Sequence, residues 1–253
     1  MAGRKGADVD ARLAALTERY NLSAGKKGQL ACLLGLLTTD RLAPTSITSV
    51  SATLDDHLAD SLAALDIDAV RHATAALDLG SGAGLPGLPL AIAMPRTRFT
   101  LLEGSGRKCA FLERAVSGCG VPNAEVVHAR AESFVDGLER YELVTARAVA
   151  ALPVTLEYAA PLLRVGGTLV AWRGRRDSEA EAMARAAAEA LGLGVPEIVA
   201  VHPYAGAENR HLYLTSKVLG TPSRFPRRPG MAAKRPLGSR HPSAQHPSDR
   251  LQR

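Results

Sequence analysis

The chain has 253 residues, 46% of them apolar and only 4% aromatic, so one sizeable core built mainly from Leu, Val and Ala is expected. Its formal net charge of +6 is unevenly placed: residues 219–253 hold seven Arg, one Lys and one Asp, a sum of +7, which leaves −1 for residues 1–218. No apolar run reaches the ~20 residues of a membrane helix, and the polar start lacks a secretory apolar stretch, so we expect a cytoplasmic protein without a membrane partner.

The first 72 residues predict an N-terminal helical extension. Apolar residues at helical spacing indicate a helix over residues 8–20, and the apolar segment at 27–37 predicts a second helix. The segment PTS at 44–46 interrupts this pattern. A third helix is expected to begin near residue 51.

From about residue 73 to residue 218, short apolar runs alternate with helical segments. We predict seven strands, at 76–79, 99–103, 125–129, 141–147, 167–172, 197–201 and 211–218. Helices are predicted between them near 86–93, 106–118, 153–163 and 177–191. This alternation predicts an α/β fold with a mostly parallel seven-stranded sheet and helices on both faces.

Residues 219–253 differ in composition from the rest of the chain, with six of its fifteen prolines and one aromatic residue, Phe225. Such a segment buries too little apolar surface to offset the entropy of ordering, so we expect an extended tail that is disordered in part. Its positive charge favours binding to a polyanion. A solvated basic terminus that binds nothing is the alternative.

The chain has three cysteines, Cys32, Cys109 and Cys119. Their number is odd, and none lies in the CxxC spacing of metal and redox sites. The pattern predicts free thiols in a reduced compartment and no metal centre.

The segment LDLGSGAGLPGLP at 77–89 predicts a nucleotide-type pocket. A strand ends there, and glycines follow where the backbone must take positive φ or approach a ligand closely. Glu103 ends the next strand, twenty-three residues after Gly80, where a carboxylate can accept ribose hydroxyls. The carboxyl ends of parallel strands meet at one edge of a sheet. The positions expected at this edge are Gly80, Glu103, Ala131 and Arg147.

The glycine segment alone leaves two cofactors open, because GAGLPG at 82–87 also satisfies the dinucleotide fingerprint of a nicotinamide enzyme. S-adenosylmethionine is favoured because Asp78 precedes Gly80 by two residues, placed to reach a methionyl amino group or a bound water. Pro86 and Pro89 remove backbone donors that a pyrophosphate needs and S-adenosylmethionine does not. The segment ARAES at 129–133 follows the third strand, where methyltransferases of this fold hold adenine.

Several motifs stand in a fixed order between about residues 46 and 238. They are HLADSL at 57–62, DLGSGAGLPG at 78–87, LLEGSGRKCAFL at 101–112, RAE at 130–132, TARAVA at 145–150, NRHLYLTSKV at 209–218 and TPSRFPRRPGMAAKRPL at 221–237. This series resembles the bacterial ribosomal RNA small subunit methyltransferase G family, formerly called glucose-inhibited division protein B. The sequence departs from the family at Arg173-Gly174, where Lys-Gly is common, and at Ser46-Ile47-Thr48, which only weakly matches an NLT-like element.

The resemblance implies a Rossmann-like class I methyltransferase that moves a methyl group from S-adenosylmethionine to N7 of a guanine in 16S ribosomal RNA. The family's cofactor contacts fall on Gly80, Leu85, the Ala131-Glu132 pair and Arg147. With the residues assigned from the loop, the predicted cofactor-binding set is Asp78, Gly80, Gly82, Leu85, Glu103, Ala131, Glu132 and Arg147. A methyltransferase acting on a small molecule or a protein is the alternative, against which the TPSRFPRRPG segment argues.

Attack by guanine N7 on a sulfonium methyl needs no proton removal, because N7 carries a free lone pair. Catalysis then rests on in-line positioning. Arg147 is the predicted catalytic residue, since a guanidinium at the pocket rim can bind guanine O6, a phosphate or the methionyl carboxylate. Bracing of the wall through Asp78 or Glu132 is the alternative. The HLADSL segment at 57–62 puts His, Asp and Ser on one helix face without triad geometry, and packing of helix on sheet is expected there.

Basic residues after the fifth strand and in the C-terminal part are candidates for phosphate contact. The predicted RNA-binding set is Arg173, Arg175, Arg210, Lys217, Arg227 and Arg228. The nearly neutral body argues against tight binding to bare duplex RNA, so the expected partner is small-subunit ribosomal RNA or the small subunit itself, with an accessible loop guanine. We expect a monomer without a metal.

Overall fold

A seven-stranded sheet forms the centre of the computed structural model, which describes residues 2–239, with side chains from residue 8 onward. The strands are β1 (Ala75–Leu79), β2 (Arg98–Glu103), β3 (Ala124–His128), β4 (Tyr141–Arg147), β5 (Leu163–Arg173), β6 (Glu197–Ala200) and β7 (His211–Ser216). Their order is β3-β2-β1-β4-β5-β7-β6, and β7 alone runs opposite to the other six strands. The predicted α/β fold with seven mostly parallel strands is confirmed.

Helices precede the sheet and cover it. Those before β1 are α1 (Ala2–Arg19), α2 (Ala24–Thr39), α3 (Val50–Thr53), α4 (Asp60–Leu62) and α5 (Asp68–Arg71), with a π-helical turn (Leu54–Ala59) joining α3 to α4. Those after it are α6 (Gly87–Ala93), α7 (Gly106–Gly118), α8 (Leu152–Ala159), α9 (Ser178–Leu191) and α10 (Met231–Lys234). The helix predicted to reach residue 163 ends at Ala159, because Pro161 has no backbone N–H to continue the helical hydrogen bonds. In the described part of the chain, no helix combines the length and apolarity that a membrane crossing requires.

The sheet separates two apolar cores because successive strand residues face opposite sides. Leu101 packs into the core that also contains Leu13 of α1, Leu33 of α2 and Phe111 of α7, whereas the adjacent Leu102 packs into the other core. That second core is completed by residues of α8 and α9. The N-terminal helices therefore belong to one covering layer of the sheet, and helices lie on both faces as predicted.

Two of the three cysteines are not free thiols. Cys32 on α2 and Cys119 at the end of α7 form a disulfide, with their Cα atoms 5.5 Å apart, and Cys109 is free and buried. The prediction of three free thiols is wrong because the packing of α2 against α7 brings together two positions 87 residues apart. The spacing of the cysteines along the sequence does not indicate this contact.

The first part of the predicted tail is packed on the body of the protein. We call residues 219–239 the C-terminal strap. Phe225 and Ala232 are 9% and 2% exposed, and Phe225 joins the core of α8 and α9. The expectation of disorder does not hold for this segment. Its composition is polar on average, but a few buried side chains anchor it and offset the entropy cost of ordering it. Residues 240–253, which complete the predicted tail, lie outside the described residues.

Candidate functional site

The loop after β1 depends on glycine at several positions. Gly80, Gly82 and Gly84 have φ values of +65°, +58° and +82°, in the region that side chains disfavour. At Gly87, the first residue of α6, a Cβ would lie 2.7 Å from both the Asp78 carboxylate and the Leu101 side chain. The start of α6 can approach β1 and β2 this closely only because Gly87 has no side chain.

Asp78 is fully buried beneath this loop. Its carboxylate accepts hydrogen bonds from the Gly87 backbone N–H at 3.1 Å and from the Thr145 hydroxyl at 2.8 Å. Burial raises the pKa of Asp78 to about 6, against the lowering effect of its hydrogen bonds. The expected contact of Asp78 with a methionyl amino group is contradicted, because the side chain has no exposed surface and ties α6 to β4 instead.

Glu103, at the end of β2, is the carboxylate that faces an open cavity. One of its oxygens accepts the backbone N–H of Gly82 at 3.0 Å, and the other accepts that of Ser105 at 2.9 Å. The side chain is held in one orientation, 7% exposed. A carboxylate offers about four lone-pair positions, so both oxygens keep room for a further donor.

The cavity beside Glu103, here the first cavity, has a volume of about 460 Å³ and lies at the carboxyl ends of β1, β2 and β3. It is lined by Leu79, Gly80, Leu102, Glu103, Gly104, Ser105, Ala129, Arg130, Ala131, Glu132, Val149, Tyr158, Gly230 and Ala233. Four predicted cofactor residues meet there: Gly80, Glu103, Ala131 and Glu132. Of the other predicted residues, Gly82 adjoins it through its bond to Glu103, whereas Leu85 is buried in the apolar core.

The C-terminal strap forms one wall of the first cavity, which the sequence does not predict. The Gly230 N–H donates to Glu132 at 3.0 Å. Arg227 holds the strap on α8 by a forked ion pair with Glu157, with Nε 2.6 Å from Oε1, and Glu157 is 1% exposed. The expected phosphate contact of Arg227 is therefore wrong, because its guanidinium is engaged within the protein. The single aromatic residue of the segment, Phe225, is the one sequence signal of this packing.

A second cavity, of about 280 Å³, lies at the ends of β4 and β5 and the start of β7. It is lined by Asp60, Arg147, Ala148, Trp172, Arg173, Gly174, Val201, Arg210 and His211. Ala148 lines this cavity, and the next residue, Val149, lines the first. The two cavities therefore adjoin across one loop at the functional edge of the sheet.

Arg147 lines the second cavity and not the first, so its predicted cofactor contact is not supported. Its Nη1 donates to Asp60 at 3.1 Å and to the backbone carbonyl of Asp56 at 2.9 Å. Neither Asp78 nor Glu132, the predicted alternative partners, forms an ion pair with it. Arg147 instead fixes the π-helical turn, a rare conformation that often accompanies functional sites, against the end of β4.

The sequence predicts no catalytic triad in the HLADSL segment, and its side chains do not have triad geometry. The Ser61 hydroxyl donates to the backbone carbonyl of His57 and not to its ring. The His57 ring lies 2.8 Å from the Thr45 hydroxyl, and burial followed by the charge of Arg147 lowers its pKa. Burial raises the pKa of Asp60, although the positive charge of Arg147 acts to lower it. The segment is a bracing element beside the second cavity.

The predicted RNA contacts fall into three groups. Arg173 and Arg210 line the second cavity, where Arg210 forms an ion pair with Asp56 at 2.6 Å. Arg175 and Arg228 are exposed. Lys217 is contradicted as an RNA contact, because its side chain is fully buried and donates to the Leu163 carbonyl at 2.6 Å.

Comparison with known proteins adds to this geometry. A family model described as rRNA small subunit methyltransferase G matches residues 36–213. A ribosomal RNA small subunit methyltransferase G of Chloroflexus aggregans is 43% identical over 205 residues, which cover 80% of this chain and 85% of that protein. One of Rubrobacter xylanophilus is 40% identical over 188 residues, 72% of each chain. The crystal structure of a SAM dependent methyltransferase from Aquifex aeolicus is similar in fold, with a TM-score of 0.52 at 16% identity over 66% of this chain and 93% of that one.

Proposed function

The chain belongs to the rRNA small subunit methyltransferase G family, and we propose that it moves a methyl group from S-adenosylmethionine to N7 of a guanine in 16S ribosomal RNA. The resemblance read from the sequence motifs is thereby confirmed. The observation that carries the proposed reaction is the pair of adjoining cavities. One offers a fixed carboxylate and a glycine loop, and the other is lined by three arginines.

The first cavity fits S-adenosylmethionine, which supplies a methyl group activated by a sulfonium sulfur. Glu103 keeps lone pairs for two ribose hydroxyls after binding Gly82 and Ser105. A Cβ at Gly80 would lie 3.2 Å from the Val149 side chain and would narrow the cavity, so the glycine keeps this wall open. Ala131, Glu132 and the strap would enclose the adenine end.

The residues around the second cavity would position the acceptor. Guanine N7 attacks through its own lone pair, so the site needs no general base. Arg147 is a rigid guanidinium, 16% exposed and fixed by Asp60, and we assign it the role of placing the guanine in line with the methyl group. The protein would act as a cytoplasmic monomer on RNA within the small subunit.

The function is tested with purified small subunits whose RNA lacks the N7 methyl group. Wild-type protein with labelled S-adenosylmethionine is expected to produce N7-methylguanine at one position, mapped by strand cleavage at the modified base. No such product, with the protein folded, would refute the proposed function.

The Glu103→Ala variant tests the cofactor site separately. It is expected to bind S-adenosylmethionine at least about tenfold more weakly by calorimetry, since two charge-assisted hydrogen bonds are lost. The matched control is Glu113→Ala, which deletes an exposed carboxylate on α7. Equal affinity of the Glu103 variant and the control would remove Glu103 from the cofactor site.

A further inference from the structure

Arg173, the last residue of β5, is a largely buried cation with no anionic partner among the described side chains. Its Nη2 donates to the Thr155 hydroxyl at 3.1 Å, and its Nε is buried without a hydrogen-bond acceptor. Among the side chains of residues 8–239, no carboxylate forms an ion pair with it. Burial correspondingly lowers the pKa of Arg173.

The other two arginines of the second cavity are neutralised within the protein. Arg147 pairs with Asp60, and Arg210 pairs with Asp56. Removing a charge from water without a partner is unfavourable, so a buried guanidinium in a cavity wall is a strong attractor for an incoming anion. The surplus positive charge of this cavity therefore resides on Arg173.

The geometry points to Arg173 as the binding site for an oxyanion at the mouth of the second cavity, and we propose that this anion is a phosphate of the RNA strand beside the methylated guanosine. The proposal rests on the proposed function and names how its RNA substrate is held. A guanidinium presents paired donors that match two phosphate oxygens. The methionyl carboxylate offers similar chemistry, but the cofactor residues Gly80 and Glu103 lie in the first cavity, across the Ala148-Val149 wall.

The experiment measures two quantities for the same set of variants. The first is kcat/KM for methylation of small subunits as a function of KCl concentration, and the second is the affinity for S-adenosylmethionine in the absence of RNA. For Arg173→Ala we expect KM for the subunit to rise at least about tenfold. Loss of one phosphate contact should also make the slope of log kcat/KM against log salt shallower by about 0.7. Affinity for S-adenosylmethionine should stay at the wild-type value.

Three further variants separate binding from structural effects. Arg173→Lys keeps the charge and loses the fork, so it should retain the wild-type salt slope with a KM between those of wild type and Arg173→Ala. Thr155→Val removes the internal bond of the guanidinium and should leave the salt slope unchanged. Arg98→Ala removes an exposed arginine from the first residue of β2, at the opposite edge of the sheet, and should behave as wild type.

Two results would overturn the proposal. An unchanged salt slope and KM in Arg173→Ala would show that no phosphate binds there. Weaker binding of S-adenosylmethionine with an unchanged salt slope would assign the site to the methionyl carboxylate. Wild-type protein that does not methylate the subunit would refute the proposed function itself, and that outcome is visible before any variant is compared.

Discussion

Asp78 illustrates, at the scale of single residues, how burial changes the chemistry of a carboxylate. Its pKa of about 6 lies above the ordinary value of 3.8, chiefly because burial disfavours the ionised form. Between these two pH values the folded protein binds more protons than the unfolded chain. The free energy of unfolding contributed by this group therefore falls as pH rises from about 4 to about 6, by about 2 kcal/mol.

Replacing Asp78 with Asn should remove this pH dependence, because the amide oxygen still accepts the Gly87 N–H without titrating. We expect the free energy of unfolding of the variant, relative to that of wild type, to rise by about 2 kcal/mol between pH 4 and pH 6, measured by urea denaturation. The control is Asp68→Asn, at a side chain that is 81% exposed. Parallel curves for wild type and the Asp78 variant would contradict the prediction.

The sequence predicts that Asp78 and Glu103 both stand at strand ends, but it does not predict which carboxylate faces the cavity. That choice depends on the approach of α6 at Gly87, which covers Asp78 and leaves Glu103 open. Arg147 shows the same limit. Its place at the end of β4 follows from the strand pattern, whereas its partner Asp60 comes from a helix 87 residues away.

The C-terminal strap shows, at the scale of elements, how few contacts suffice to order a segment. Its anchors are the buried Phe225, the forked pair of Arg227 with Glu157, and the bond of Gly230 to Glu132. Because Gly230 and Ala233 line the first cavity, the position of the strap should affect cofactor affinity.

Arg227→Ala should therefore weaken binding of S-adenosylmethionine by about tenfold, because it releases the strap and leaves Glu157 buried without its partner. Arg228→Ala, which removes the exposed neighbouring arginine, should bind the cofactor as wild type does. Calorimetry without RNA compares the two. Equal affinities would mean that the forked pair does not position the cavity wall.

The strands of the sheet and the helices that cover it could be predicted because each is encoded locally. Short apolar runs indicate the strands, apolar residues at helical spacing indicate the helices, and glycine or proline marks many of their ends. The ordering of the strap could not be predicted. It depends on three specific contacts, which the average composition of the segment does not reveal. The π-helical turn at Leu54–Ala59 likewise leaves no mark in the sequence pattern, since the Arg147 that binds it lies about ninety residues further along the chain.

At the scale of the whole molecule, the disulfide of Cys32 and Cys119 joins the N-terminal helices to α7 across 87 residues of chain. Closing so long a loop restricts the unfolded chain and stabilises the fold by about 2–5 kcal/mol. Cys32→Ser should lower the free energy of unfolding by that amount in urea denaturation. Wild type in reductant should match the variant, and an unchanged unfolding midpoint in reductant would argue against the bond.

The chain contains one tryptophan, Trp172, and its indole N–H donates to the Asp60 carbonyl at 2.9 Å in the wall of the second cavity. All intrinsic indole fluorescence of the protein therefore originates at a single place, next to Arg173. Trp172 can therefore serve as an intrinsic fluorescent probe of the second cavity in unlabelled protein. Stopped-flow emission can time the arrival of a nucleotide at that wall independently of cofactor loading.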